Sequence, residues 1–453
     1  MGSGNKVSFV SLGCPKALVD SEHIVTALLD AGYDVVEEAD AEAEVVVVNT
    51  CGFIDAAKQE SIDTISHAYA QSKKVVVTGC MGKDPTELRQ AFSQLDHISG
   101  PADVAPVLSG VQAYVPNTNT PEKPGPGIPG QRVRLTPAHY AYLKISEGCN
   151  HKCSFCIIPK MRGGLRSRDI AEILNEAEQL VDDGVKELLV VAQDLSAYGL
   201  DIRYRKSQWR DKELSARLLS LCTELGSIAP WVRLHYVYPY PHVDDIIPLM
   251  AEGAILPYLD MPLQHASVDV LRAMRRPAAL EKTLERLQRW RQMCPDLVIR
   301  STFIVGFPGE TDQDVGLLLD FLEEAELDRV GCFTYSAVDG AAANSLENHV
   351  DERDKIDRQE MVYEVQGPIS ARHLAAKQGQ TIRVLVDDIQ PQNLDQGYVA
   401  IGRSSADAPE IDGCVYIKSD TPPKVGDFVW VKVDSSDEHD LFGHMIGDSL
   451  NFT

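Results

Sequence analysis

Tyr140-Ala141-Tyr142-Leu143-Lys144-Ile145-Ser146-Glu147-Gly148-Cys149-Asn150-His151-Lys152-Cys153-Ser154-Phe155-Cys156 carries an apolar run directly into three closely spaced cysteines. Tyr140 to Ser146 is short and rich in aromatic and aliphatic side chains, which suits a buried strand. Beyond it, Cys149, Cys153 and Cys156 can turn toward one small inorganic centre. Thiolate sulfur is a soft ligand for zinc, copper(I) or iron–sulfur clusters. A structural zinc closes with four ligands, and the fourth here would have to be His151 or a distant residue. That shortage favours a cluster with one open iron, while zinc and thiols sharing no metal remain open on spacing alone.

Outward from this stretch, from about His139 to Lys377, the chain repeats strand then helix. Expected strands are Tyr140 to Ser146, Val185 to Ala192, Trp231 to Val237, Pro257 to Met261, Leu297 to Val305 and Arg329 to Tyr335. Expected helices are Arg168 to Asp183, Glu213 to Leu225, Val243 to Ala251, Leu280 to Met293 and Asp312 to Glu324. Such βα units curl into a full or partial barrel with its site at the carboxyl ends of the strands, so the cysteine loop lies at the mouth. Gln193-Asp194, His235-Tyr236, Gln264-His265 and Ser301-Thr302 fall at the same mouth. The dense basic run Lys160 to Arg168 reads as a solvated loop or as a contact for an anionic group of a bound cofactor.

Upstream, three β-branched runs each finish at a cysteine: Val7 to Cys14, Glu44 to Cys51 and Lys73 to Cys80. Helix candidates Asp20 to Asp30 and Asp55 to Ala70 alternate with them, predicting a Rossmann-like open parallel sheet. Ligands bind at the carboxyl ends of such strands, so Cys14, Cys51 and Cys80 form a second candidate constellation, with buried structural cysteines as the alternative. Pro116 to Pro137, rich in Pro, Gly, Asn and Thr, reads as a linker or long surface loop. From about Gly379 the runs Thr381 to Val386, Tyr398 to Gly402, Cys414 to Ile417 and Phe428 to Val433 predict a small five-stranded antiparallel barrel. The expected domains are therefore 5–115, a linker over 116–137, a core over 138–376 and a barrel over 379–446.

Among 453 residues, 43 basic and 67 acidic side chains leave a net charge of −24. That balance disfavours an electrostatic grip on nucleic acid and suits a basic partner. The last segment, from Gly379 to Thr453, is acidic in itself, with Arg383, Arg403, Lys418, Lys424 and Lys432 against thirteen acids, 5 − 13 = −8. With no apolar run long enough to span a bilayer and no signal-peptide core after Met1, a cytoplasmic protein without membrane contact is expected. Ten cysteines in a reducing compartment suggest metal ligands and buried thiols, and Cys222, Cys294, Cys332 and Cys414 read as structural.

Cys149-x3-Cys153-x2-Cys156, with Phe155 before the last cysteine, resembles the signature of radical S-adenosylmethionine (SAM) enzymes. Ser11-Leu12-Gly13-Cys14-Pro15-Lys16, Asn49-Thr50-Cys51-Gly52-Phe53 and Thr78-Gly79-Cys80 resemble the second-cluster ligand segments of the methylthiotransferase family, and the C-terminal segment is similar to a TRAM domain. Lys144 to Asn150, His235 to His242 and Arg300 to Thr311 place the likeness nearest the branch that modifies an aspartate of small-subunit ribosomal protein S-twelve. The resemblance implies two 4Fe–4S clusters, one on Cys149, Cys153 and Cys156, the other on Cys14, Cys51 and Cys80. It further implies reductive cleavage of SAM at the first cluster, hydrogen abstraction from the β-carbon of aspartate, and sulfur methylated by a second SAM at the other cluster. Phe155, near the adenine, and Arg166, Arg168 and Gln193 are then the expected SAM contacts, with no catalytic residue assigned beyond the cluster ligands. Expected partners are the basic ribosomal protein or the assembled small subunit, and a reductant such as flavodoxin or ferredoxin. Methylthiolation of an adenosine in tRNA, and a non-catalytic iron–sulfur docking or sensing protein, are the alternatives.

Overall fold

Valines set the first sheet, because successive side chains of a strand point to opposite faces. Val45 and Val47 pack with Ile24, Leu28, Val107 and Val111 on one side, whereas Val46 and Val48 pack with Ile65, Ala68 and Leu88 on the other. A strand buried on both faces is what a parallel sheet between two helical layers requires. The computed structural model describes residues 5–37, 43–71, 73–116, 132–276, 282–389, 397 and 399–448. Its N-terminal part runs β1 (Lys6–Ser11), α1 (Pro15–Asp30), β2 (Asp34–Glu37), β3 (Val45–Thr50), α2 (Asp55–Ala70), β4 (Lys74–Gly79), α3 (Thr86–Ala91), β5 (His97–Ile98) and α4 (Val104–Tyr114). The sheet is parallel in the order β2-β1-β3-β4-β5, so β1, β3 and β4, the strands that lead to Cys14, Cys51 and Cys80, are adjacent.

The core follows as β6 (Tyr140–Lys144), β7 (Ser146–Glu147), α5 (Ile158–Arg162), β8 (Arg166–Ser167), α6 (Ile170–Asp182), β9 (Glu187–Val191), β10 (Lys206–Trp209), β11 (Lys212–Ser215) and α7 (Leu218–Ile228). It continues as β12 (Trp231–Leu234), α8 (Ile247–Ala251), β13 (Tyr258–Asp260), α9 (Val268–Ala273), α10 (Thr283–Met293), β14 (Val298–Val305), α11 (Asp312–Ala325), β15 (Arg329–Thr334) and α12 (Glu352–Ala375). Strands β6, β9, β12, β13, β14 and β15 pair in chain order, all parallel, as a partial (β/α)6 barrel. Leu188, Val190, Val232 and Leu234 face the helices, with Leu174, Leu221 and Trp290. The opposite parity, Tyr140, Tyr142, Leu189 and Val191, packs against Val19 and Leu18 of α1. The N-terminal domain thus lays its first helix over the concave side that a six-stranded barrel leaves open.

Two expectations need correction here. The helix expected from Glu213 begins only at Leu218, because 206–215 is a hairpin whose turn places Arg210 at φ 50°. Of the expected linker, 117–131 lies outside the described residues, as does Leu280, the expected start of α10. Residues 132–135 are fixed between domains: Arg132 bridges Glu22 at 2.9 Å and Glu176 at 2.7 Å, and Leu135 N donates to Glu22.

The last segment closes into a barrel of β16 (Thr381–Ile389), β17 (Ala400–Ser404), β18 (Val415–Lys418), β19 (Phe428–Ser436) and β20 (Leu441–Asp448), in the order β16-β17-β18-β20-β19. Tyr398, expected in the second strand, lies outside the described residues. The expected antiparallel barrel is corrected at one pairing, since β18 and β20 run parallel to close the ring. The barrel docks on the amino ends of the core strands: Arg403 on Glu187 at 2.6 Å, Glu410 on Tyr140 at 3.1 Å, Asp412 on Tyr258 at 2.6 Å and Asp407 on Arg329 at 2.5 Å. Glu187, Tyr140, Tyr258 and Arg329 each open a core strand, so the barrel seals the end opposite the cysteine loop. Among the described residues no helix is long and apolar enough to cross a membrane.

Candidate active site

The loop after β7 is pinned before it reaches its first cysteine. Gly148 has φ 78°, and a Cβ there would lie 2.2 Å from the Gly164 carbonyl oxygen, while Cys149 N donates to Gly163 O at 3.1 Å. Each of the three sulfurs then receives a donor: His151 N to Cys149 Sγ at 3.4 Å, Ile158 N to Cys156 Sγ at 3.4 Å, and Arg276 Nη1 to Cys153 Sγ at 3.9 Å. Donors aimed at sulfur suit anionic thiolates and tune any cluster they ligate. Burial pushes the Cys149 thiol up to about 11 and Cys156 up to about 12, so these thiols ionise through metal binding rather than by themselves. Gly148→Ala is expected to cost more than the roughly 1–2 kcal/mol of a left-handed L-residue, because backbone must also move, and to reduce bound iron per reconstituted chain toward half. Iron analysis beside a thermal melt checks it.

Arg276 is also stacked on Tyr238, its guanidinium 4.0 Å from the ring centroid, and Tyr238 stacks on His151 at 4.5 Å with rings 1° from parallel. His151 Nε2 lies 2.8 Å from Asp194, so this histidine is held beside the loop by a carboxylate and two rings.

Cys14, Cys51 and Cys80 follow β1, β3 and β4 within a few residues. Their loops touch: a Cβ on Gly13 would lie 3.2 Å from Cys51 Sγ, and one on Gly52 2.9 Å from Met81, next to Cys80. Burial raises Cys51 and carries Cys80 up to about 11. Cys14, the residue before the first turn of α1, differs: burial opposes its thiolate, but Lys16, Arg162 and the Ala17 and Lys16 amides outweigh it and lower the pKa. Among the described residues no three His, Cys, Asp or Glu side chains are drawn close enough to hold one metal ion. The donor chemistry of both triads, three thiols and no fourth protein ligand, fits a cluster with an open iron.

The two triads meet across α5. Cys80 packs with Ile157, Met161, Val338 and Ala341, so the segment leaving Cys156 lies directly against the second triad. Arg162, 4% exposed, spans the domains: Nη1 donates to Asp20 of α1 at 3.0 Å and to Glu147 at 3.1 Å, and its charge acts on Cys80 and Cys14. Lys144 joins the same Asp20 and reaches Glu147 at 2.9 Å. Burial would raise Glu147, but Lys144 and Arg162 hold it down at about 2.

The expected SAM contacts scatter. Gln193 donates to Glu147 at 2.6 Å and, among the described residues, leaves its Oε1 buried and without a partner, as is Ser146 Oγ nearby; these orphaned polar atoms fit a polar ligand at the mouth. Phe155 packs among Val270, Met274, Phe307, Tyr335 and Ala343. Arg168 is tied to Glu176 at 2.7 Å and to the Lys144 carbonyl at 2.8 Å, whereas Arg166 is exposed in β8. Asp20, Lys144, Glu147 and Arg276 carry no site signal in the sequence, and Arg162 was legible only as one member of the basic run Lys160 to Arg168.

Residues 143–322 match the radical SAM superfamily, 6–100 the uncharacterized protein family UPF0004, and 379–446 the TRAM domain. The solved radical SAM methyltransferase TsrM from Kitasatospora setae shares the fold over 73% of this chain and 75% of its own, with TM-score 0.52 and 16% identity. The ribosomal protein uS12 methylthiotransferase RimO of Saccharophagus degradans is 56% identical over 98% of this chain and 92% of its own, and that of Bordetella pertussis 55% over 98% and 100%. With Cys80 packed against the segment that leaves Cys156 and relatives this similar end to end, the chain belongs to the RimO family of ribosomal protein uS12 methylthiotransferases, radical SAM enzymes that transfer a methylthio group.

Proposed function

We propose that this enzyme adds the methylthio group to the β-carbon of an aspartate of uS12, with SAM and a 4Fe–4S cluster on Cys149, Cys153 and Cys156 and a second cluster on Cys14, Cys51 and Cys80. The observation that carries the reading is the approach of the two triads across Ile157–Arg162, which allows radical formation and sulfur delivery in one cleft. When bound, these groups supply reductive cleavage of SAM and the transferable sulfur, chemistry no side chain can perform on an unactivated C–H bond. The chain's own residues orient and shield. Gly148, His151, Ile158 and Arg276 fix the first three thiols, and Gln193 and Ser146 offer polar atoms at the mouth. Asp20, Lys144, Glu147 and Arg162 lock the N-terminal domain over the cleft, and Leu18 and Val19 exclude water from the concave side.

A basic protein substrate is supported by the barrel surface. Arg403 is buried in the docking contact, while Asp388, Asp420, Asp427, Asp434, Asp437 and Glu438 are exposed. The reading places the enzyme in the cytoplasm, supplied with electrons by a flavodoxin or ferredoxin. Incubating reconstituted enzyme with SAM, a reductant and either uS12 or tRNA tests it. A methylthio mass gain on the aspartate-bearing peptide of uS12 is expected; a gain on tRNA alone would overturn the reading.

A further inference from the structure

Lys16, in the first turn of α1, is 8% exposed, and among the described residues it has no carboxylate within ion-pair distance. Other buried cations between the domains do: Lys144 and Arg162 share Asp20 and Glu147, and Arg132 has Glu22 and Glu176. Arg276 also lacks a carboxylate, but its two Nη groups are engaged by Cys153 Sγ and the Pro262 carbonyl. The Lys16 ammonium instead stands 3.5 Å from the centroid of the Tyr236 ring, and the Cys14 thiol, whose charge a bound cluster would share, is the other acidic group that acts on it. An aromatic face offsets only part of the desolvation of an ammonium, so a buried lysine in this setting is built to receive an anion. Tyr236 has φ 61°, a left-handed backbone of the kind retained at ligand clamps.

Position identifies the anion. Lys16 lies two residues past Cys14 of the sulfur-side triad, and its tip meets Tyr236, two residues beyond the end of β12 at the mouth of the radical-forming core. Whatever carbon is attacked must sit between these elements. In aspartate the carboxyl carbon is bonded directly to the β-carbon, so a cation gripping the carboxylate sets that carbon in the gap. Resting on the aspartate reading above, we propose that the Lys16 ammonium binds the side-chain carboxylate of the target aspartate and makes Lys16 a substrate-binding residue.

The test uses reconstituted holoenzyme with SAM and no reductant, so that binding is read without turnover. The affinity of parent, Lys16→Met and Lys16→Arg is measured for uS12 and for uS12 with the target aspartate replaced by asparagine. Lys16→Met is expected to weaken binding of uS12 about 10- to 100-fold, as loss of a charge-assisted contact does, with Lys16→Arg recovering most of it. Against the asparagine form, parent and Lys16→Met should bind alike. Lys16→Gln, equally chargeless, carries the same expectation if the methionine variant does not hold its iron. Equal affinity of parent and Lys16→Met for uS12, or equal weakening on both forms, overturns the proposal. So does a changed electron paramagnetic resonance spectrum of the N-terminal cluster, recorded on separate samples reduced with dithionite in the absence of SAM, with uS12 affinity intact, which would make the cluster the lysine's partner. A parent enzyme that binds both forms equally would remove the aspartate reading itself, a result distinct from an inert Lys16 variant.

Discussion

Replacing Cys14, Cys51 and Cys80 together by alanine is expected to leave 5′-deoxyadenosine formation from SAM in place while the methylthio mass gain on uS12 falls below detection. Bound iron after anaerobic reconstitution should drop from about eight to about four per chain. Separation of the two effects follows from the fold. The three cysteines sit in loops of a sheet with hydrophobic layers of its own, Val45 and Val47 on one side and Val46 and Val48 on the other, none of which involves the core barrel. The sulfurs of Cys149, Cys153 and Cys156 take their donors from His151, Ile158 and Arg276, all within the core. Alanine at Cys149, Cys153 and Cys156 should therefore abolish both 5′-deoxyadenosine and product. If the N-terminal triple variant also stopped cleaving SAM, the two half-sites would not be separable in this way.

Glu187→Ala is expected to produce the largest loss of stability of any single substitution at the domain contacts, about 3–5 kcal/mol, read as an early transition in denaturant unfolding and as early proteolytic release of the C-terminal barrel. Glu187 opens β9 and is fully buried; its two oxygens accept from Arg233 Nε at 2.7 Å and from Arg403 Nη1 of the barrel at 2.6 Å. Removing it strands two buried guanidiniums, Arg233 being 0% and Arg403 3% exposed, and only Arg403 keeps another carboxylate, Asp387 at 2.8 Å. Burial would raise the Glu187 pKa, but Arg233 and Arg403 outweigh it, and the value falls below the ordinary carboxylate range. The sign is that of a depressed acid: its contribution is present above the unfolded carboxylate pKa and is lost as pH falls through the lowered folded value. Parent protein should accordingly weaken its barrel docking on acidification, and Glu187→Ala should show a smaller pH dependence, with Asp387, held down by His139 and Arg403, supplying part of what remains. A Glu187→Ala/Arg403→Met pair, which removes one stranded charge, should recover part of the stability.

Local order was legible wherever one periodicity or one chemical type carried it. The runs of valine before Cys51 and Cys80, too short for helices, could only be buried strands, and the structure ends β3 at Thr50 and β4 at Gly79. The hairpin over 206–215 was not legible, because its left-handed turn residue is Arg210 and not glycine. Nor was α12, whose interior Pro368 argues against a helix that packing nevertheless sustains. The site divided the same way. Sequence by itself determined the fold class, six thiols in two sets and the acidic barrel, because cysteine spacing and strand-end position are local properties of the chain. Only the tertiary structure decided that α1 covers the open concave side, that Asp20 and Arg162 bind the domains together over the triads, and that Lys16 is buried with no carboxylate at ion-pair distance among the described residues. Those facts depend on which charges meet after folding: a lysine beside a cysteine reads alike in every exposed helix until packing removes its water and withholds its counter-ion.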